Sequence, residues 1–182
     1  MSAGFPCLLL SVLMLLLAPV CFADHLPENL LARTRPEKKL AGISLERSRV
    51  SDVVEMYGEP PCVIKRESAG YADSYDYYWY PDGVTLHVFV ESGKELAGNS
   101  YISMIEIEGS AANAPTARTG AGLELGAKLS ELKRIYGRRF KIRNIPEYDI
   151  HDVTVQWRSG YTLTAKLDRE NRIETLSLLS PQ

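Results

Sequence analysis

Few residues in this chain pair a reactive side chain with neighbours that would put it to use. The histidines are His25, His87 and His151, and the cysteines are Cys7, Cys21 and Cys62. A thiol nucleophile at Cys62 needs an imidazole base in reach, and no histidine stands in a recognisable motif with it. Asp76, His87, His151 and Asp152 are the set from which a hydrolase using a histidine and a carboxylate would have to draw. The sequence has no G-x-S-x-G, no H-E-x-x-H, no phosphate loop, and no Cys or His pair at metal-ligand spacing. The expectation is a protein without catalysis, cofactor or metal; the small hydrolase is the alternative of a different class.

Two other constellations are suited to binding. The first is aromatic: Tyr75, Tyr77, Tyr78, Trp79 and Tyr80 fall within six residues, and His87 and Phe89 follow on the next strand-like segment. Tyr and Trp bury a large rigid area and keep a polar handle, which enriches them at binding hot spots. On a strand, Tyr75, Tyr77 and Trp79 face one side and Asp76, Tyr78 and Tyr80 the other. Only one side can line a core, so the other row meets solvent, a neighbouring unit or a partner. The second constellation is basic: Lys133, Arg134, Arg138, Arg139, Lys141 and Arg143. It reads as a possible anion-binding cluster for lipid headgroups, an acidic polymer or an acidic partner. The alternative is cations offsetting a helix C-terminus.

The elements that would position these residues repeat. Val50–Gly58, VSDVVEMYG, returns as Leu129–Gly137, LSELKRIYG. In the first copy Val50, Val53, Met56 and Tyr57 make one apolar stripe after Ser48 as N-cap, and Gly58 supplies a left-handed stop before Pro60 and Pro61. Strand patterns follow at Cys62–Glu67, Tyr75–Tyr80, Val84–Val90 and Tyr101–Glu108, then, after the second helix, at Phe140–Ile145, Val153–Trp157, Tyr161–Leu167 and Arg172–Leu179. Gly83-Val84-Thr85-Leu86 matches Gly160-Tyr161-Thr162-Leu163 in the same order. The expected fold is α+β: two tandem units, each a short helix packed on its own four-stranded antiparallel sheet. Residues 42–109 form unit one, 110–119 a linker and 120–182 unit two.

Net charge is −2 overall, which implies no bulk attraction to nucleic acid. The halves differ in sign: residues 42–109 hold 5 Lys and Arg against 12 Asp and Glu, and residues 120–182 hold 11 against 8. Residues 1–23 carry no charged side chain and end on Cys21-Phe22-Ala23, the form of a secretory signal peptide cleaved before Asp24. Cys21 follows Ala18-Pro19-Val20, a poor lipobox, so membrane association is expected only if Cys21 is lipidated. Residues 24–41, broken by Pro27 and Pro36, read as a flexible spacer. With Cys62 the only thiol of the cleaved chain, no internal disulfide forms, and a buried apolar role is expected for it. The compartment is periplasmic or extracellular.

Gly42-Ile43-Ser44-Leu45, then a short helix ending Tyr57-Gly58-Glu59-Pro60, then the aromatic strand Tyr77-Tyr78-Trp79-Tyr80 and a hairpin, resembles the SmpA/OmlA group, which includes an outer-membrane assembly lipoprotein. The tandem arrangement looks like that of β-lactamase inhibitory proteins, which bind their partner on a concave sheet. The resemblance covers residues 42–109 well and 122–179 more weakly, Gly137-Arg138-Arg139 standing where the first copy has its G-x-P. It implies a non-catalytic envelope protein that binds a protein partner through its aromatic sheet face, or a secreted inhibitor of an extracellular enzyme, and it carries no catalytic residues across.

Overall fold

In the computed structural model, residues 32, 34–67, 73–91, 100–109, 117–145 and 150–181 are described. The signal segment, His25 and most of the expected linker lie outside these residues. In chain order the elements are β1 (Lys39–Leu40), β2 (Ile43–Ser44), α1 (Val50–Tyr57), β3 (Cys62–Arg66), β4 (Ser74–Trp79), a turn of 3-10 helix (Pro81–Gly83), β5 (Val84–Glu91), β6 (Met104–Gly109), α2 (Leu129–Tyr136), β7 (Lys141–Ile145), β8 (Ile150–Gln156), β9 (Thr162–Leu167) and β10 (Ile173–Leu179).

The architecture departs from two helix-on-sheet units. Among the described residues the protein is mostly β, with two eight-residue helices and two sheets. The smaller sheet pairs β1 with β2; the larger holds eight antiparallel strands in the order β3-β4-β5-β6-β10-β9-β8-β7. The strand that joins the halves is β6, which pairs with β10 from Met104↔Leu179 to Glu108↔Thr175. Two separate four-stranded sheets would leave β6 and β10 as open edges with unpaired N–H and C=O groups. Both strands also carry alternating large aliphatics, Ile105 and Ile107 on one and Leu176 and Leu178 on the other, all essentially inaccessible to solvent. Joining the edges satisfies the ladder and closes one apolar layer. Periodicity in a sequence marks a strand; it does not say whose edge that strand will meet.

The residues on the core side follow from the register, because directly paired residues of antiparallel strands point the same way. Tyr77, Val88, Ile105, Leu178, Leu163 and Val155 form one such row across the sheet. Both helices lie on this side. Val50 and Val53 of α1 and Leu132 and Tyr136 of α2 are buried in the same cluster. Met56, expected in the α1 stripe, is instead 48% exposed. The cap of α1 falls on Arg49 rather than Ser48, with Asp52 Oδ2 accepting the Arg49 N–H at 2.8 Å. Gly58 closes α1 at φ 80°, in the left-handed region that a Cβ resists. Its carbonyl accepts the Trp79 indole N–H at 2.7 Å, fixing the helix end to β4.

The end of the stretch read as a spacer belongs to the interior. Glu37, Leu40 and Ala41 are buried, and Ala32 forms an isolated parallel bridge with Trp157 at the far end of the chain. Glu37 Oε1 accepts the N–H groups of Lys38 at 2.9 Å and Lys39 at 3.0 Å. Its Oε2 accepts from Ala121 N–H and from the Tyr136 hydroxyl, both at 2.9 Å. Thr119, at the end of the expected linker, is buried beside it, and its hydroxyl donates to the Tyr136 oxygen at 2.8 Å. This polar knot ties the segment before β1 to α2. Pro36 and the charges around it hide the knot from hydropathy, since a buried carboxylate is recognisable only by its donors.

Candidate functional site

The side of the large sheet away from the helices carries no helix among the described residues. Its rows alternate with those of the core. One runs Cys62, Tyr78, His87, Glu106, Ser177, Thr164, Thr154, Lys141 across all eight strands. These side chains arise from ordinary period-two strands, as in Thr85, His87 and Phe89 between Val84, Leu86, Val88 and Val90. The face is polar with a few aromatics, a composition that needs no covering layer.

A buried, hydrogen-bonded carboxylate on this face is Asp76. The residue is 1% exposed, yet both carboxylate oxygens are satisfied. The Arg66 Nε–H donates to Oδ2, and His87 Nε2 lies 2.7 Å from Oδ1. Burial pushes the Asp76 carboxyl up, but the hydrogen bonds from His87 and Arg66 and their charges outweigh it and hold the group below the usual carboxylate range. With Asp76 ionised, His87 donates to it through Nε2. The His87 ring lies flat against Tyr78, with centroids 4.5 Å apart and planes 8° from parallel. Tyr78 is buried, and burial together with the Asp76 charge pushes its phenol up to about 12. Glu106, in register with His87, accepts from the Ser177 hydroxyl.

The aromatic run is divided by the sheet. Tyr75, Tyr77 and Trp79 stack along the helix side, at centroid spacings of 6.3 and 6.1 Å. Tyr77 and Trp79 are sealed in the core and Tyr75 is half-buried, so these three contribute packing. Tyr78, His87 and Phe89 share the open side. Tyr80 lies just beyond β4 and is 45% exposed.

The basic cluster is divided as well. Lys133 sits over the Phe140 ring at 5.7 Å and Arg134 is ion-paired to Glu131, both on α2. Arg138 and Arg139 lie in the connection, while Lys141 and Arg143 are exposed on β7, in register with Thr154 and Asp152. Beside Arg143 and Lys166, Asp152 Oδ1 is buried without a hydrogen-bond partner among the described residues. Burial raises the Asp152 carboxyl, with Lys166 and Arg143 pulling it back.

Of the set named for the hydrolase alternative, Asp76 and His87 meet at 2.7 Å, and His151 does not join them. His151 pairs with Leu167 on the helix side of β8 and bonds Asn144 at 2.9 Å. It stands four strands from His87, about 19 Å at ordinary strand spacing. Cys62, half-buried in β3, is two strands from His87 with Tyr78 between them. Among the described residues no group of three His, Cys, Asp or Glu side chains is placed to hold a metal ion. Sequence reasoning named Asp76 and His87 but missed Arg66 and Glu106 as their neighbours. The signal available for Glu106 was the Ile105-Glu106-Ile107-Glu108 alternation.

No family model matches the chain, and no curated protein matches it. Among solved structures, it is similar to a DUF4309 family protein (YjgB) from Bacillus subtilis, at 18% identity and a TM-score of 0.44, over 76% of this chain and 82% of that one. It is also similar to an extracellular protein containing an SCP domain from Bacillus anthracis, at 8% identity and a TM-score of 0.47, over 73% of this chain and 43% of that one. Among the described residues no helix is long and apolar enough to cross a membrane.

Proposed function

We propose that this chain is an exported, non-catalytic binding module that meets a protein partner of the cell envelope through the open face of its large sheet. The observation that carries the reading is that face itself. Eight strands place His87 and Phe89, with the buried Tyr78 beside them, on a side bearing no helix among the described residues. Rigid aromatic and polar groups on a preformed surface lose little conformational freedom on binding. The fully bonded Asp76 supports the same reading, since it fixes His87 and Arg66 before any partner arrives. A non-catalytic role is supported by the separation of His87 from Cys62 and His151.

Export is supported by residues 1–23, and cleavage after Ala23 releases a chain beginning at Asp24. Intact mass of the protein recovered from outside the cytoplasm tests this; a mass carrying acyl chains on Cys21 would replace a soluble module with an anchored one. Site-specific photocrosslinking in the producing cells tests the surface. A benzophenone side chain at Phe89 is expected to give one discrete protein adduct, and the same group at Met56, exposed on the helix side, is expected to give none. Adducts from Met56 alone, or from both positions equally, would defeat the assignment.

A further inference from the structure

The large sheet is open, and its two ends differ. Its order leaves β3 and β7 outermost, with no strand among the described residues paired to the outer side of either. On an edge strand, alternate residues direct their N–H and C=O groups away from the sheet. At the β3 end charge is matched: Lys65 is ion-paired to Glu67 and Asp73, and Arg66 to Asp76. Cys62 and Ile64 of β3 are half-buried. On β7, Lys141, Ile142, Arg143 and Asn144 are all exposed, and the strand contains no proline. Lys141 and Arg143 lie on the open side, in register with Thr154 and Asp152. Ile142, on the helix side, is in register with the fully buried Val153 yet is 49% exposed, the last apolar residue of a core row with no strand beyond it. This end is also basic. On β7 to β9 and in the connection before them, the described residues set Arg138, Arg139, Lys141, Arg143 and Lys166 against the carboxylate of Asp152.

We propose that β7 takes an extended acidic segment of a partner protein as a further strand of the large sheet. The backbone of the segment completes the ladder, which supplies affinity, and alternate side chains supply selectivity. Acidic residues on one side of the added strand meet Lys141 and Arg143, and apolar residues on the other cover Ile142. Charge selects this occupant over a second copy of the chain. Two β7 strands related by a two-fold axis at Ile142 would set Lys141 opposite Arg143 twice, and like charges directly opposite destabilise a pair. An uncovered edge invites pairing with any extended chain; the cations restrict the choice to chains of opposite sign. The edge site goes beyond the open-face reading and does not depend on it, since its binding groups are the β7 backbone and the side chains of that strand.

The test follows amide hydrogen exchange in the exported chain, labelled with nitrogen-15. The probe is a short acetylated and amidated peptide of alternating glutamate and valine. One control peptide has lysine in place of every glutamate. A second keeps the glutamates but has proline in place of a middle valine, which preserves the charge and removes a ladder donor. At about ten times its Kd the glutamate peptide is expected to slow exchange of the outward amides of β7 about tenfold and to leave those of β3 as they were. Neither control at the same concentration is expected to slow β7. Lys141→Glu, an exposed change opposite Thr154, is expected to weaken the glutamate peptide about fivefold, an attraction exchanged for a repulsion of similar size. Equal protection by the two acidic peptides would reduce the edge to a charged patch and overturn the proposal. So would protection at β3 instead of β7, no protection by any peptide, or an undiminished response in Lys141→Glu. Protection of β7 that grows with protein concentration before any peptide is added would overturn it too, because a second copy would then be the occupant. A discrete Phe89 crosslink without protection of β7 would remove the edge site and leave the open face standing; protection of β7 without that crosslink would do the reverse.

Discussion

At the scale of single residues, the two open-face aspartates are opposites. Asp76 has every lone pair it needs occupied by Arg66 and His87, and its carboxyl is held low. A group lowered in the folded state stabilises fully above the ordinary value of 3.8 and loses that contribution as pH falls through its lowered one. Asp76→Asn is expected to cost about 2 kcal/mol at neutral pH, discounted for the half-exposed Arg66. In urea titrations the cost should shrink only in acid below that ordinary value. Asp152 is raised by burial and has an orphaned oxygen. Its charge weakens the fold above its raised value, and the penalty disappears once pH falls below the ordinary 3.8. Asp152→Asn is therefore expected to stabilise by about 1 kcal/mol at neutral pH, a gain that the same titrations should see vanish in acid.

At the scale of elements, strand and helix positions were legible to within a few residues because each rests on local pattern. Val84 to Val90 alternates, and Gly58 and Gly137 stop helices that could not otherwise end there. The faces of Tyr77 and Tyr78 were also legible, since side-chain parity is a property of the strand alone. What could not be read was the seam between β6 and β10, a pairing of segments some seventy residues apart (Ile107 with Leu176). Nor could the Glu37 knot, where the carboxylate and its Tyr136 partner are 99 residues apart. Both depend on the tertiary arrangement rather than on neighbours in the chain. Leu176→Ala, at the centre of the seam, is expected to cost about 2–5 kcal/mol as a cavity in a closed layer. If the halves were independent, the loss in chemical denaturation would be confined to one of two transitions.

At the scale of the whole molecule, the seam and the knot join in one sheet and one core what reads in sequence as two units. Glu37→Gln keeps the size of the side chain but turns one acceptor into a donor facing Ala121 N–H. It is expected to cost about 2–3 kcal/mol, and hydrogen exchange should show protection lost at Ala121 and Lys39 together. Unchanged protection at either amide would mean that the knot is not what binds the early segment to α2.

The bridge from Ala32 to Trp157 has a consequence in time. Ala32 finds its seat only once Trp157, much later in the chain, is in place, so a long loop must close before that contact is rewarded.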